Sequence, residues 1–125
     1  MAQVTVSEST FGLQMRVVVG GCPVKAALAA KRYTDCEVSN PADLAGVKGW
    51  TLHHEDRAFI WLESWPESDE QDNLMTLVHE CVHVAMSFLR DHVGEDIRKA
   101  EETCCYLVQR LAAKTARKLN RKLST

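Results

Sequence analysis

The sequence predicts a small α+β domain: a short, mostly antiparallel sheet packed on three helices, one of them central and almost wholly apolar. Three observations predict it. Strand-like segments with β-branched or alternating residues lie in the first half, two long segments with helical periodicity follow, and 125 residues with 46% hydrophobic content supply a single core. No repeat, low-complexity tract or long linker divides residues 1–125, so the expectation is one domain.

Residues Met1 to Thr10 read as a loose N-terminal arm. "FGLQMRVVVGG" is β-branched and ends on a glycine pair, which makes it the first expected strand. Pro23 suits the first turn of a helix and "VKAALAAKRY" is rich in helix formers, so helix one spans 23 to 34. "VSNPADLAGVKG" is turn chemistry. "WTLHH" and "RAFIWLES", joined by "EDR", then form a hairpin. Phe59, Trp61 and Glu63 share one face of its second strand and Ile60 and Leu62 the other; the pattern does not choose the core face.

Ser68 with Gln71 forms a capping-box pattern, and Asp69, Glu70 and Asp72 place negative charge in the first turn of a helix that runs to about Leu89, with Gly94 as its stop. This central helix is apolar on nearly every side. A third helix starts near Glu95 or Asp96 and runs to about Leu119, with Ile97, Ala100, Cys104, Leu107, Val108 and Leu111 as its core stripe. Residues 119–125 form a basic tail. Lys114, Arg117, Lys118, Arg121 and Lys122 suit a helix C-terminus, with contact to nucleic acid or an acidic partner as the alternative.

A net charge of −2 gives nucleic acid no general attraction, so nucleic acid is not the expected partner. No segment has the length and apolarity of a membrane span, and "MAQVTVSEST" lacks the basic and apolar regions of a signal peptide. A cytoplasmic location is expected. The five cysteines are odd in number, without a CxxC spacing, and read as small buried side chains in a reducing compartment.

The central helix carries His79-Glu80-Cys81-Val82-His83, the pattern H-E-x-x-H. Histidines at i and i+4 lie one above the other on a helix, so both rings can address one Zn²⁺. Glu80 is rotated by about 100° from His79 and stands beside that ion, placed as a general base towards metal-bound water. In a buried helix such groups would be unsatisfied without a metal.

A catalytic zinc takes three protein ligands and leaves one position open. His92 lies about 13 Å further along the same helix axis than His83, which excludes it. At most one of His53 and His54 can face the site. Glu101 and Glu102, on the next helix, are better placed; Glu101 lies within the apolar stripe and Glu102 at its border, so burial mildly favours Glu101.

The motif His79-Glu80-x-x-His83, with Glu102 following 19 positions after the second histidine, resembles the gluzincin class of zinc peptidases. It is also similar to the minimal zincin-type domains encoded by phages and prophages. In that family the liganding glutamate is followed by apolar residues at places here held by Cys104, Leu107, Val108 and Leu111. The resemblance covers residues 68 to 112 and selects Glu102 as third ligand, although Thr103 and Cys104 stand where the family has alanine and an aromatic residue.

It implies a zincin-like fold, a Zn²⁺ cofactor held by His79, His83 and Glu102, hydrolysis of a peptide or protein substrate with Glu80 as general base, and an edge strand that pairs with the substrate. "RAFIWLES" is the expected strand. Tyr106 or a hairpin histidine supplies the oxyanion donor, with nothing to rank them. Two other readings stand beside this one: a zinc-stabilised structural or adaptor protein without peptidase activity, and a nucleic-acid-associated protein that uses the basic helix.

Overall fold

Alternation of apolar and polar side chains builds a sheet of four short strands, and helical periodicity builds the two layers that cover it. The computed structural model describes residues 2–38, 41–44, 46–65, 70–93 and 100–123. Its elements are β1 (Ala2–Glu8), β2 (Leu13–Val19), α1 (Pro23–Thr34), a single 3₁₀ turn (Pro41–Leu44), β3 (Gly49–His54), β4 (Arg57–Leu62), α2 (Glu70–Val93) and α3 (Glu101–Leu123). This is a small α+β protein with a mixed sheet. The strand order is β1-β2-β4-β3, with antiparallel outer pairs and a parallel central pair, β2 with β4.

The hairpin has the expected strands. His54 pairs with Arg57, and Glu55 turns the chain with a left-handed φ of 55°. α1 has the expected bounds, opened by Pro23 and closed by a left-handed Asp35 whose N–H reaches the Lys31 carbonyl at 2.8 Å. Ser68 and Gly94, the expected start and stop signals around the central helix, lie outside the described residues, as does Ile97.

Both faces of β4 are core, which resolves the choice that the sequence left open. Phe59 and Trp61 pack with Val18, Trp50 and the Ala30 and Tyr33 side of α1, whereas Ala58, Ile60 and Leu62 join the larger core under α2 and α3. A strand buried on both sides reads as a continuous apolar run, and "AFIWL" is one. Each of its large side chains contributes about 1.5–3 kcal/mol by leaving water.

The N-terminal residues correct the expectation of a loose arm. Residues 2 to 8 pair along their whole length with β2, from Ala2 opposite Val19 to Glu8 opposite Leu13. Ala2, Val4, Val6 and Glu8 point into the core and the residues between them do not. Small and polar residues disguise an alternation that only a neighbouring strand and α3 make apolar.

The expected basic tail is also corrected, since α3 continues to Leu123 and buries Leu107, Leu111, Thr115 and Leu119. Its lysines act on β1. Lys114 Nζ donates to the Ser7 carbonyl at 2.9 Å, Lys118 to that of Thr5, and Lys122 to that of Gln3 at 2.7 Å. Four helical residues advance about 6 Å and two strand residues about 6.6 Å, so lysines at every fourth position meet every second carbonyl of an antiparallel edge. Alternate carbonyls of an edge strand face away from its only neighbour, and the lysines satisfy them.

At the end of this ladder sits Glu8, 1% exposed. Arg110 Nε at 2.6 Å, Lys114 Nζ at 3.1 Å and the Thr10 N–H at 3.2 Å all donate to its carboxylate. Burial pushes this carboxyl up, but the bonds from Arg110, Lys114 and Thr10 outweigh it and lower the pKa from 4.5 to about 2.

Candidate functional site

α2 lies against β3 and β4 and turns Leu77, Cys81, Val84, Ala85, Phe88 and Leu89 into the core. Because it covers one end of the sheet, its outer side stays open, and Leu74, Met75, Val78 and Met86 are exposed. The expectation of an enclosed helix around the motif is corrected accordingly: His79 and His83 are exposed, and of the three motif residues only Glu80 is buried. Apolarity on every side reflects an open apolar face here, not burial all round.

Helical spacing brings the two imidazoles together. Their ring centroids lie 4.8 Å apart and Nε2 of His83 is 3.2 Å from Nε2 of His79. Two nitrogens bound to one tetrahedral zinc would be about 3.3 Å apart, so the pair fits two corners of such an ion. Glu80 leans to the sheet, where Thr51 Oγ1 of β3 donates to Oε1 at 2.8 Å and lies 3.4 Å from the Glu80 carbonyl. Thr51 is a partner of Glu80 that no motif announced; its only signal is its parity on β3, the same as that of Gly49 and His53.

His79 and Glu80 share an open cleft of about 450 Å³ with Lys48, Gly49, Met75 and Thr76. Gly49 is required there: a Cβ at this position would come within 2.9 Å of Thr76 Cγ2 and 3.2 Å of the Trp61 carbonyl. α2 can therefore lie close to the start of β3.

The remaining candidates are distributed elsewhere. Glu101 and Glu102 are both exposed on the first turn of α3, and the described residues contain no group of three His, Cys, Asp or Glu side chains able to hold a metal. α2 stays helical to Val93, which keeps His92 remote, and its Nδ1 meets the Phe88 carbonyl at 2.9 Å. His54 Nδ1 meets the Thr34 carbonyl at 3.0 Å, on the α1 side.

His53 faces α2 instead, edge-on to Phe88 and 3.8 Å from the Asp91 carboxylate. Burial lowers its pKa; Asp91 opposes the shift and His92 adds to it. Tyr106, the other candidate donor, is exposed and has Arg110 above its ring.

No family model, curated protein or solved structure matches this chain. The site rests on its own geometry.

Two further expectations are corrected. "RAFIWLES" cannot take an extended peptide, because β4 is interior and bonded to β2 on one side and β3 on the other. The edge beside α2 is β3. Of the five free cysteines only Cys81 is buried, its thiol pushed up to about 12 by burial and the neighbouring Glu80; Cys22 and Cys105 are exposed. No helix among the described residues is long and apolar enough to cross a membrane.

Proposed function

We propose that the protein is a zinc-dependent peptidase of minimal, gluzincin-like type. The observation that carries this reading is the convergence of His79 and His83 Nε2 to 3.2 Å, with the buried Glu80 lining a cleft that it shares with His79. The two imidazoles would hold Zn²⁺, and Glu102, which this structure does not group with them, is the third ligand that the family resemblance implies. Bound zinc supplies acidification of water and polarisation of the scissile carbonyl.

Glu80 takes the proton of the attacking water and hands it to the leaving amine, a role for which its position one residue after His79 fits it. Thr51 holds one carboxylate oxygen, which leaves the other to face the water. β3, with one edge free, pairs with an extended substrate, and Met75 and Met86, exposed on either side of the histidines, receive its apolar side chains.

The test is metal content and peptide hydrolysis measured together. Glu80→Gln retains zinc and loses cleavage; His79→Ala loses both; zinc loss in Glu102→Ala but not Glu101→Ala assigns the third ligand. The exposure of both glutamates favours, as a second reading, an adaptor whose zinc is completed by a partner. A zinc-loaded protein that cleaves no peptide, before or after Glu80→Gln, selects that reading.

A further inference from the structure

On the opposite face of the sheet, α1 covers β3, β4 and Val18 of β2 but leaves Thr5 of β1 and Gln14 and Arg16 of β2 at least partly open. The uncovered strip meets the last turns of α1 in a hollow of about 500 Å³ whose polar wall consists of Thr5, Gln14, Arg16, Arg32, Tyr33 and Arg57. Three arginines from three different elements therefore line one hollow of a protein whose net charge is −2. Among the described residues none of the three is ion-paired with a carboxylate.

Tyr33 organises the cluster. The Arg16 guanidinium carbon lies 4.3 Å from its ring centroid and that of Arg57 5.1 Å. Stacking uses the face of a guanidinium and leaves its in-plane N–H groups free to donate. Arg57 uses one of them on the Tyr33 carbonyl at 3.3 Å, and Arg16 uses Nε on Thr5 Oγ1 at 3.4 Å. Both side chains are thus held in place with donors to spare.

Tyr33 is 8% exposed, and its hydroxyl is buried without a hydrogen-bond partner among the described residues. Burial pushes this phenol above its ordinary range, against the pull of Arg16 and Arg57, while the Asp56 charge adds to the rise. It remains a protonated donor at neutral pH. Clustered arginines, with the neutral side chains of Thr5 and Gln14 beside them on a concave surface, lack one component, an anion with several acceptor oxygens.

We propose that this hollow binds the phosphoryl group of a small phosphorylated ligand. A carboxylate brings one charge and two oxygens, enough for a single guanidinium fork. A phosphoryl group brings up to two charges and three free oxygens, which matches three arginines better. The volume is that of a small-molecule site, with room for the organic part of a phosphomonoester. The hollow lies across the sheet from His79 and His83, so its occupancy is independent of the peptidase reading.

Titration of the full chain at low ionic strength, followed by side-chain and amide NMR shifts, tests this with inorganic phosphate and with glycerol phosphate as probes. Saturable shifts at Arg16, Arg32 and Thr5 are expected, with affinity weakened about tenfold or more in Arg32→Gln, as loss of one charged hydrogen bond implies. Arg32 is exposed, so that variant keeps its fold, which thermal unfolding verifies. Tighter binding of glycerol phosphate assigns the free volume to the organic moiety, whereas tighter binding of inorganic phosphate assigns the site to the ion itself. Absence of saturation with either probe, or equal affinity in Arg32→Gln, overturns the proposal.

Discussion

Glu8 and Glu80 are both buried carboxylates, 1% and 6% exposed, yet their surroundings differ in kind. Glu8 receives two cationic side chains and a backbone N–H; Glu80 receives one neutral hydroxyl and borders an open cleft. The first carboxylate is saturated and fastens α3 to β1. The second has lone pairs left over and lines a cleft that it shares with His79. Burial alone does not distinguish a saturated carboxylate from one with acceptor capacity to spare; the number and charge of its donors does.

On the proposed peptidase reading, the largest effect that separates them is on catalysis. Glu80→Gln is expected to lower peptide hydrolysis by about 10²–10⁴-fold, the usual contribution of a general base, while zinc content stays unchanged. Glu8→Gln is expected to leave hydrolysis per folded molecule intact. Stability should invert the ranking. Glu8→Gln costs about 2–3 kcal/mol in denaturant unfolding, less than a fully enclosed ion pair because Arg110 and Lys114 are partly exposed and can be hydrated.

Folding lowers the Glu8 carboxyl from 4.5 to about 2, so its stabilisation is complete above pH 4.5 and disappears as pH falls towards 2. Unfolding curves of Glu8→Gln should be flatter across that window. Equal pH slopes in the two proteins would remove Glu8 from the account of acid stability.

Smaller effects sharpen the contrast. Thr51→Val removes the one side-chain donor to Glu80 and should reduce kcat about tenfold at a stability loss of about 1 kcal/mol; Thr51→Ser should restore both. If the valine variant were fully active, Thr51 would have no part in positioning the base. The smallest change is expected for Lys118→Met, about 0.5 kcal/mol, because its bond to the Thr5 carbonyl is exposed. Light scattering is the better measure there, since an uncovered strand edge invites pairing between molecules.

Where local signals agree, the sequence announces the structure. Pro23 and the alanine-rich run after it define α1, the "WTLHH" and "RAFIWLES" runs define the hairpin, and the i, i+4 spacing of His79 and His83 predicts their convergence. Features that depend on distant chain segments were not legible. β1 carries the strand-like Val4, Thr5 and Val6, but the partners that hold it, β2 and α3, are not visible in its local sequence, and at the chain end it reads as an arm. The place of "RAFIWLES" inside the sheet depends on its parallel pairing with β2, which no local pattern encodes. The bond from Thr51 to Glu80 joins residues 29 positions apart, and the basic residues of α3 found their partners more than a hundred positions away.

That last distance has a consequence for how the chain assembles during synthesis. β1 emerges from the ribosome before α3, and the lysines that cover its outer edge follow only after more than a hundred further residues. Until then the nascent sheet carries an uncovered margin and a buried-to-be carboxylate without its cations. Contacts of such sequence separation slow the final step of folding and make it the window in which neighbouring chains on one message can pair wrongly.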